Sequence, residues 1–351
     1  HTTCRRQRQM CIRDSRETVK RIAVLRLLIS LGAGLLAAHW LAGLSWSVAA
    51  VFSAIVLATG PTVVTPLVRQ MRLAAPLGDV LEAEGLVLEP IGAVLALLLL
   101  ELVLGNLHGW RELVLGLLER LGGGVLIGAS VGWLLSELLQ RLKPDQSSGL
   151  PLQLTLGMLF LMYGVSEWLL PESALPASVA AGLVVGRRQT AHTADLDGLI
   201  QELAQLAITM LFPLLAADVS WAELSPLGWG GISCVLVLML VVRPIAVGVA
   251  TVGLPLDLPQ KLFLGWLAPR GIVTASVASL FAIRLEQAGI LGAGRLQGLV
   301  FLTILMTVGL QGLTAQPLAR ALGLIEESAG ATTSSSETTP QSGEVFSDSG
   351  Q

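Results

Sequence analysis

Apolar residues in this chain gather in long blocks, unlike the alternating or one-faced patterns of soluble strands and helices. Two of the clearest, 87–104 and 232–252, approach the roughly 20 residues with which an α-helix spans a bilayer. Ten blocks can be read: 22–41, 47–68, 80–104, 113–139, 150–169, 173–185, 199–219, 227–252, 261–284 and 296–322. The pattern predicts an all-α, polytopic membrane protein with about ten transmembrane helices. The block at 173–185 is short enough to be re-entrant.

Composition sharpens this. Of 351 residues, 53% are hydrophobic and only 13% charged, against about 25% charged in ordinary soluble domains. A soluble enzyme, a secreted disulfide scaffold and a nucleic-acid binder are thereby excluded. Cys4, Cys11 and Cys234 form no C-x-x-C pair, so no zinc or disulfide framework is indicated.

The net charge of -3 matters less than where charge falls. Loops on one side carry Arg69, Arg72, Arg141, Lys143, Arg187, Arg188 and Lys261, with Arg320 leading into the tail. The other side has only Arg111, Arg284 and Arg295. The positive-inside bias makes the first side cytoplasmic, and Trp40, Trp46, Trp110, Trp168, Trp221 and Trp229 cluster near the opposite face. Both termini then lie inside. The longest loop, around 187–199, has about a dozen residues, too few for a soluble catalytic domain.

The ends differ from the middle. Residues 1–20 are polar and Arg-rich, reading either as a basic juxtamembrane segment or as a non-native extension of an N-terminally truncated chain. Residues 326–351 are Ser/Thr/Glu-rich and read as a disordered polar tail.

An ionisable group at bilayer depth marks a functional site or a pair. The third block holds three, Glu82, Glu84 and Glu89, in LEAEGLVLEPIGAVL. At about 100° per residue, Glu82 and Glu89 share a face and Glu84 points elsewhere. Pro90 lacks an N–H and frees the carbonyl of Leu86 one turn back. A carboxylate beside a freed carbonyl suits a hard cation, which prefers oxygen ligands. Snorkelling to the interface accounts for Glu82 as well as a site does, but not for the deeper Glu89. In the second block, Thr59-Gly60-Pro61 with Pro66 beyond predicts an interrupted helix near the midplane. Such breaks survive only where protein or water satisfies the freed groups, and they are where secondary transporters bind ions. Arg243 and Arg270 lie inside the eighth and ninth blocks and each needs a carboxylate or helix C-terminal carbonyls.

Two motifs are set aside. Gly128-Ala-Ser130-Val-Gly132 matches a nucleophile elbow, but it continues a Gly124, Gly128, Gly132 repeat typical of close helix packing. His39 and His108 lie at block ends, poor positions for a buried base.

The run ATGPTVVTPLVRQMRLAAPLGDVLEAEGLVLEPIGAVLA resembles the paired ion-binding helices of the monovalent cation:proton antiporter-1 family, the bacterial sodium/proton antiporters. WLAPRGIVTASVASLFAIRL and LVFLTILMTVGLQGLTAQPLAR resemble its last two helices, and VVRP the one before. The resemblance, over about 21–324, implies an inverted-repeat fold with crossing discontinuous helices. Its core domain would comprise 21–104 and, after a linker helix, the rest of 199–325, beside dimerisation or scaffold helices at 105–198. It implies a homodimer in a bacterial inner membrane that exchanges Na+, or alternatively K+ or Li+, for H+ by alternating access with no cofactor.

By position, Glu89 takes the place of the family's ion- and proton-binding carboxylate and Thr59 that of a threonine ligand, so these two are the expected cation ligands. Gly60 and Leu86 belong to the same expected site, with Glu82, Pro61, Pro90 and Arg270 in support. Glu84 and Arg243 take the family's structural ion pair. Three departures stand out: Gly60 replaces an acid, Leu88-Glu89 replaces Asn-Asp, and Gly85 replaces a serine. One titratable group at the site implies electroneutral exchange. Two other readings are a passive cation channel and an organic-anion uniporter using Arg243 and Arg270; a non-transporting subunit fits poorly with the polar midplane.

Overall fold

Proline and glycine mark the two places where a pass of this protein is interrupted. A computed structural model describes residues 24–71, 73, 75–142, 149–188, 193–217, 224–254 and 256–325. The polar ends, 1–20 and 326–351, and the orienting residues Arg72, Lys143 and Trp221 lie outside the described residues. The helices are α1 (Val24–Trp40), α2 (Trp46–Leu57), α3 (Pro61–Met71), α4 (Ala75–Val103), α5 (Trp110–Arg141), α6 (Gly149–Leu169), α7 (Ala174–Arg188) and α8 (Thr193–Ala217). They continue with α9 (Ser225–Ala250), α10 (Leu258–Trp266), α11 (Ile272–Gln287) and α12 (Ala293–Ala321). Among the described residues the one extended pairing is a bridge between Leu73 and Ile325.

Five helices, α4, α5, α6, α9 and α12, are each long and apolar enough to cross a bilayer. Two further passes are interrupted: α2 and α3 meet at 58–60, and α10 and α11 at 267–271. With α1, α7 and α8, the described residues account for the ten passes the apolar blocks mark out. At 15 residues α7 is one uninterrupted helix lying along α5, so the chain does not turn back within it as a re-entrant segment would. The triplets α1, α2–α3, α4 and α9, α10–α11, α12 repeat one order: helix, broken helix, helix. Corresponding members are seven passes apart in order (first and eighth, second and ninth, third and tenth), an odd number, so the second triplet runs through the membrane inverted.

The breaks have local causes. Ala58 leaves the helix in an extended conformation (φ −61°, ψ 124°), and Pro61 opens α3, where its missing N–H costs nothing. The second break contains Pro269 and Gly271. The sequence reads 261–284 as one block; the structure divides it. Helices α9 and α12 each carry a wider, π-type turn, at Leu238–Val242 and Thr307–Gln311, the kind of irregularity that gathers at functional sites.

Packing separates into layers. One apolar cluster joins α1, α2, α4, α9, α11 and α12 through residues such as Ala38, Phe52, Leu100, Val235, Phe281 and Leu299. A second joins α3, α4, α9, α10 and α12 through Val64, Leu77, Val247, Phe263 and Ala315. Along α4 the residues between the two clusters are those around Glu84 and Glu89; along α9, Arg243; along α12, Thr307 and Gln311. A polar layer is thus held between two apolar ones. Outside it, α5 packs against α7 through its small-residue face. An added Cβ at Gly124 would stand 2.6 Å from the Ser173 carbonyl oxygen, and one at Gly132 2.8 Å from Ala181 Cα. Only glycine permits that approach.

Candidate functional site

Glu84 is the best-satisfied charge in the polar layer. Its side chain is 2% exposed, and Arg243 donates to it twice, Nη1 to Oε1 at 2.8 Å and Nη2 to Oε2 at 3.4 Å. The bidentate geometry of a guanidinium on a carboxylate suits a buried pair. A second arginine, Arg26 on α1, meets the same Oε1 and is 1% exposed.

Arg243 also satisfies the second break. Its Nε donates to the Leu264 carbonyl at 3.2 Å and its Nη2 to that of Leu267 at 2.9 Å, so the carbonyls at the end of α10 are capped from α9. On the other side of the same break, the Ala268 N–H donates to Gln311 Oε1 at 3.0 Å and the Arg270 N–H to Thr307 Oγ1 at 3.4 Å. The π-type turn of α12 thus presents two acceptors to main chain that no longer bonds to itself. The first break is capped from the second, because Arg270 Nη1 donates to the carbonyls of Leu57 and Ala58 at 3.2 and 3.0 Å. The Gly60 carbonyl accepts from the N–H groups of Val63 and Val64, both at 3.1 Å.

Against this satisfied background a few oxygens stand out. Glu89 is 6% exposed, and its Oε1 is shielded without a hydrogen-bond partner; the same is true of Thr59 Oγ1 and Thr274 Oγ1. Thr59 lies in the first break and Glu89 is one turn before Gly92, where an added Cβ would stand 3.2 Å from Ala58 Cβ. Thr274, in the first turn of α11, lines a small cavity with Ala58 and Ala93. Carboxylate and hydroxyl oxygens with no partner of their own are what a proton or a hard cation seeks. No group of three His, Cys, Asp or Glu side chains exists among the described residues to cage a divalent metal.

The other expected residues divide. Glu82 is half-buried. The Leu86 side chain is 42% exposed, so only its main chain could serve a site. Pro90 sits within an α4 that continues unbroken, and Pro61 starts α3. The sequence did not single out Arg26, Thr274, Thr307 or Gln311. For Arg26 the signal was present, a lone cation inside the first apolar block. Thr307 and Gln311 are neutral and nothing distinguishes them before the break opposite is known. Arg243 and Arg270, offered to an organic anion in one reading, spend most of their donors on Glu84 and on four carbonyls.

Comparison with known proteins adds an independent line. The family model described as "Sodium/hydrogen exchanger, transmembrane" matches residues 9–321. A probable Na+/H+ antiporter 2 of Methanocaldococcus jannaschii is 25% identical over 297 residues, covering 77% of this chain and 69% of its own length. The Na+/H+ antiporter NhaH of Halobacillus dabanensis is 27% identical over 303 residues, covering 82% and 72%. The K+/H+ antiporter NhaP2 of a Shewanella species is 24% identical over 287 residues, 81% of this chain but 49% of the relative. Among solved structures, the sodium proton antiporter MjNhaP1 from Methanocaldococcus jannaschii superimposes with a TM-score of 0.74 at 23% identity, covering 87% of this chain and 78% of that one.

Proposed function

Because this chain belongs to the sodium/hydrogen exchanger family, we propose that it is a secondary transporter in which Glu89 binds either a proton or a monovalent cation, never both. The observation that carries this is the carboxylate itself, buried on α4 with an oxygen that no group among the described residues satisfies. Protonated, it is neutral and can rest in an apolar setting. Ionised, it needs a cation, which Thr59 and nearby main-chain oxygens help to hold. Exclusive occupancy of one group by two cations couples their movement without a further device. The relatives named for Na+ and for K+ support either ion as cargo.

The capped breaks allow the site to be carried as a unit. Arg243 and Arg270 tie α2, α4, α9 and α10 into one body, while α5, α6 and α7 pack mainly among themselves. We read the first group as the moving core, within 21–104 and 199–325, and 105–198 as the scaffold and homodimer face. Alternating access is then displacement of the core past the scaffold in a bacterial inner membrane, with both termini cytoplasmic. The test is proton release on adding Na+ or K+ to proteoliposomes: exchange releases protons, and a passive channel does not.

A further inference from the structure

We propose that this protein holds a resident monovalent anion of chloride size between Arg26, Arg243 and Arg270. The three arginines line one cavity of about 20 Å³, together with Ser30, Gly34 and Ser53. Residues 26, 30 and 34 are spaced i, i+4, i+8 and so present one face of α1 to it. The cavity is small and partly enclosed, which suits a small inorganic anion better than an organic one.

Two observations favour an anion over water. The first is charge. Among the described residues the buried charged side chains are Arg26, Arg243, Arg270, Glu84 and Glu89, three cations against two anions, with Glu82 only half-buried. With both glutamates ionised an excess of one positive charge remains, and with Glu89 occupied by a proton or a monovalent cation the excess is two. Gly60, where the resemblance expects an acid, deepens the imbalance. The second is donor accounting. Glu84 is already engaged by Arg243 and Arg26, and Arg270 Nη1 by two carbonyls. Arg26 Nε and Arg270 Nε remain buried without partners, on side chains that line the cavity. Ser53 donates its own proton to the Ala50 carbonyl at 2.8 Å and is not a further donor. A water would accept from the free N–H groups but leave the buried charge in place; an anion answers both needs.

The site does not depend on which cation is exchanged. Its test is the thermal stability of the purified full chain at fixed Na+ and ionic strength, with chloride replacing gluconate. A saturable rise in Tm of a few degrees is expected, lost in Arg26→Gln. Because that variant also loosens Glu84, crystals of the unaltered protein grown in bromide provide the second measurement, with an anomalous peak expected among the three guanidinium groups. Equal Tm in chloride and gluconate, a rise that persists in Arg26→Gln, or bromide-grown crystals with no peak in the cavity would each overturn the proposal. Cation–proton exchange measured alongside reports separately on the transport reading.

Discussion

Arg270 donates through Nη1 to the Ala58 carbonyl at 3.0 Å, so a side chain from the second helix break closes the first. The two interruptions, 212 residues apart, are one structural unit. Replacing Arg270 by Gln removes the charge and reaches less far, leaving the Leu57 and Ala58 carbonyls unmet in an apolar layer. Exchange should fall sharply and Tm with it, and Lys, a point donor in place of a fork, should recover only part. Full recovery by Lys would mean that charge alone matters there.

Glu84 serves two arginines, and this ranks its variants. Glu84→Ala strands both Arg26 and Arg243, so the loss should reach the upper end of the ~3–5 kcal/mol expected for breaking a buried pair. Arg243→Ala leaves Glu84 with Arg26 and should cost less from the ion pair, although it also uncaps α10. In a double-mutant cycle followed by chemical denaturation, Glu84 and Arg243 should couple strongly. Additive losses would contradict the observed pairing.

The α12 turn offers a smaller, cleaner test. Gln311→Leu keeps the volume but orphans the Ala268 N–H, a cost of about 1–3 kcal/mol. Its stability should drop by that order, while Gln311→Glu, which keeps an acceptor oxygen, should drop less. No effect from Leu would show that the break is satisfied in another way.

How much of this was legible beforehand depended on what each residue announces locally. The α2–α3 break is written in Thr59-Gly60-Pro61, because glycine and proline act on their own turn. Pro269 and Gly271 carry the same signal for the α10–α11 break, with Arg270 between them adding a buried charge. Arg243 and Glu84 could be paired only through the family resemblance, since 159 residues separate them and helix periodicity says nothing at that range. Arg26 carries a weak local signal, because a single arginine near the start of a span has the plain alternative of snorkelling. Gln311 could not have been found: an amide acquires its role only when a main-chain N–H is freed opposite it.

The packing of α5 on α7 gives a prediction outside the polar layer. Gly124→Ala places a methyl against the Ser173 carbonyl, whereas Gly122→Ala, on the same helix, meets nothing within 4 Å. The first should destabilise by about 1–3 kcal/mol through overpacking. The second should stabilise by up to about 1 kcal/mol, since glycine is a poor helix former. Thermal melts in one detergent compare the two directly, and similar shifts would mean that the helices do not approach so closely.

Charge stoichiometry follows from the residues that are missing. With Gly60 in place of an acid and Leu88 in place of an asparagine, the proposed site leaves Glu89 alone to exchange one proton for one monovalent cation, a cycle that would move no net charge. A membrane potential, worth about 2.3 kcal/mol per charge per 100 mV, should leave the reversal point of exchange unmoved in proteoliposomes. A clear shift would reveal a second coupled proton and point to half-buried Glu82, which Glu82→Gln would test.

The central claim is that one carboxylate is shared by proton and cation, and Glu89→Gln addresses it most directly. The amide keeps the shape of the side chain and its place in the fold but cannot take up or release a proton. In proteoliposomes holding equal amounts of folded protein, cation-driven proton flux should fall to the level of empty vesicles, while Tm stays at or above that of the unaltered chain because a buried charge is gone. Robust proton flux in Glu89→Gln would contradict the account.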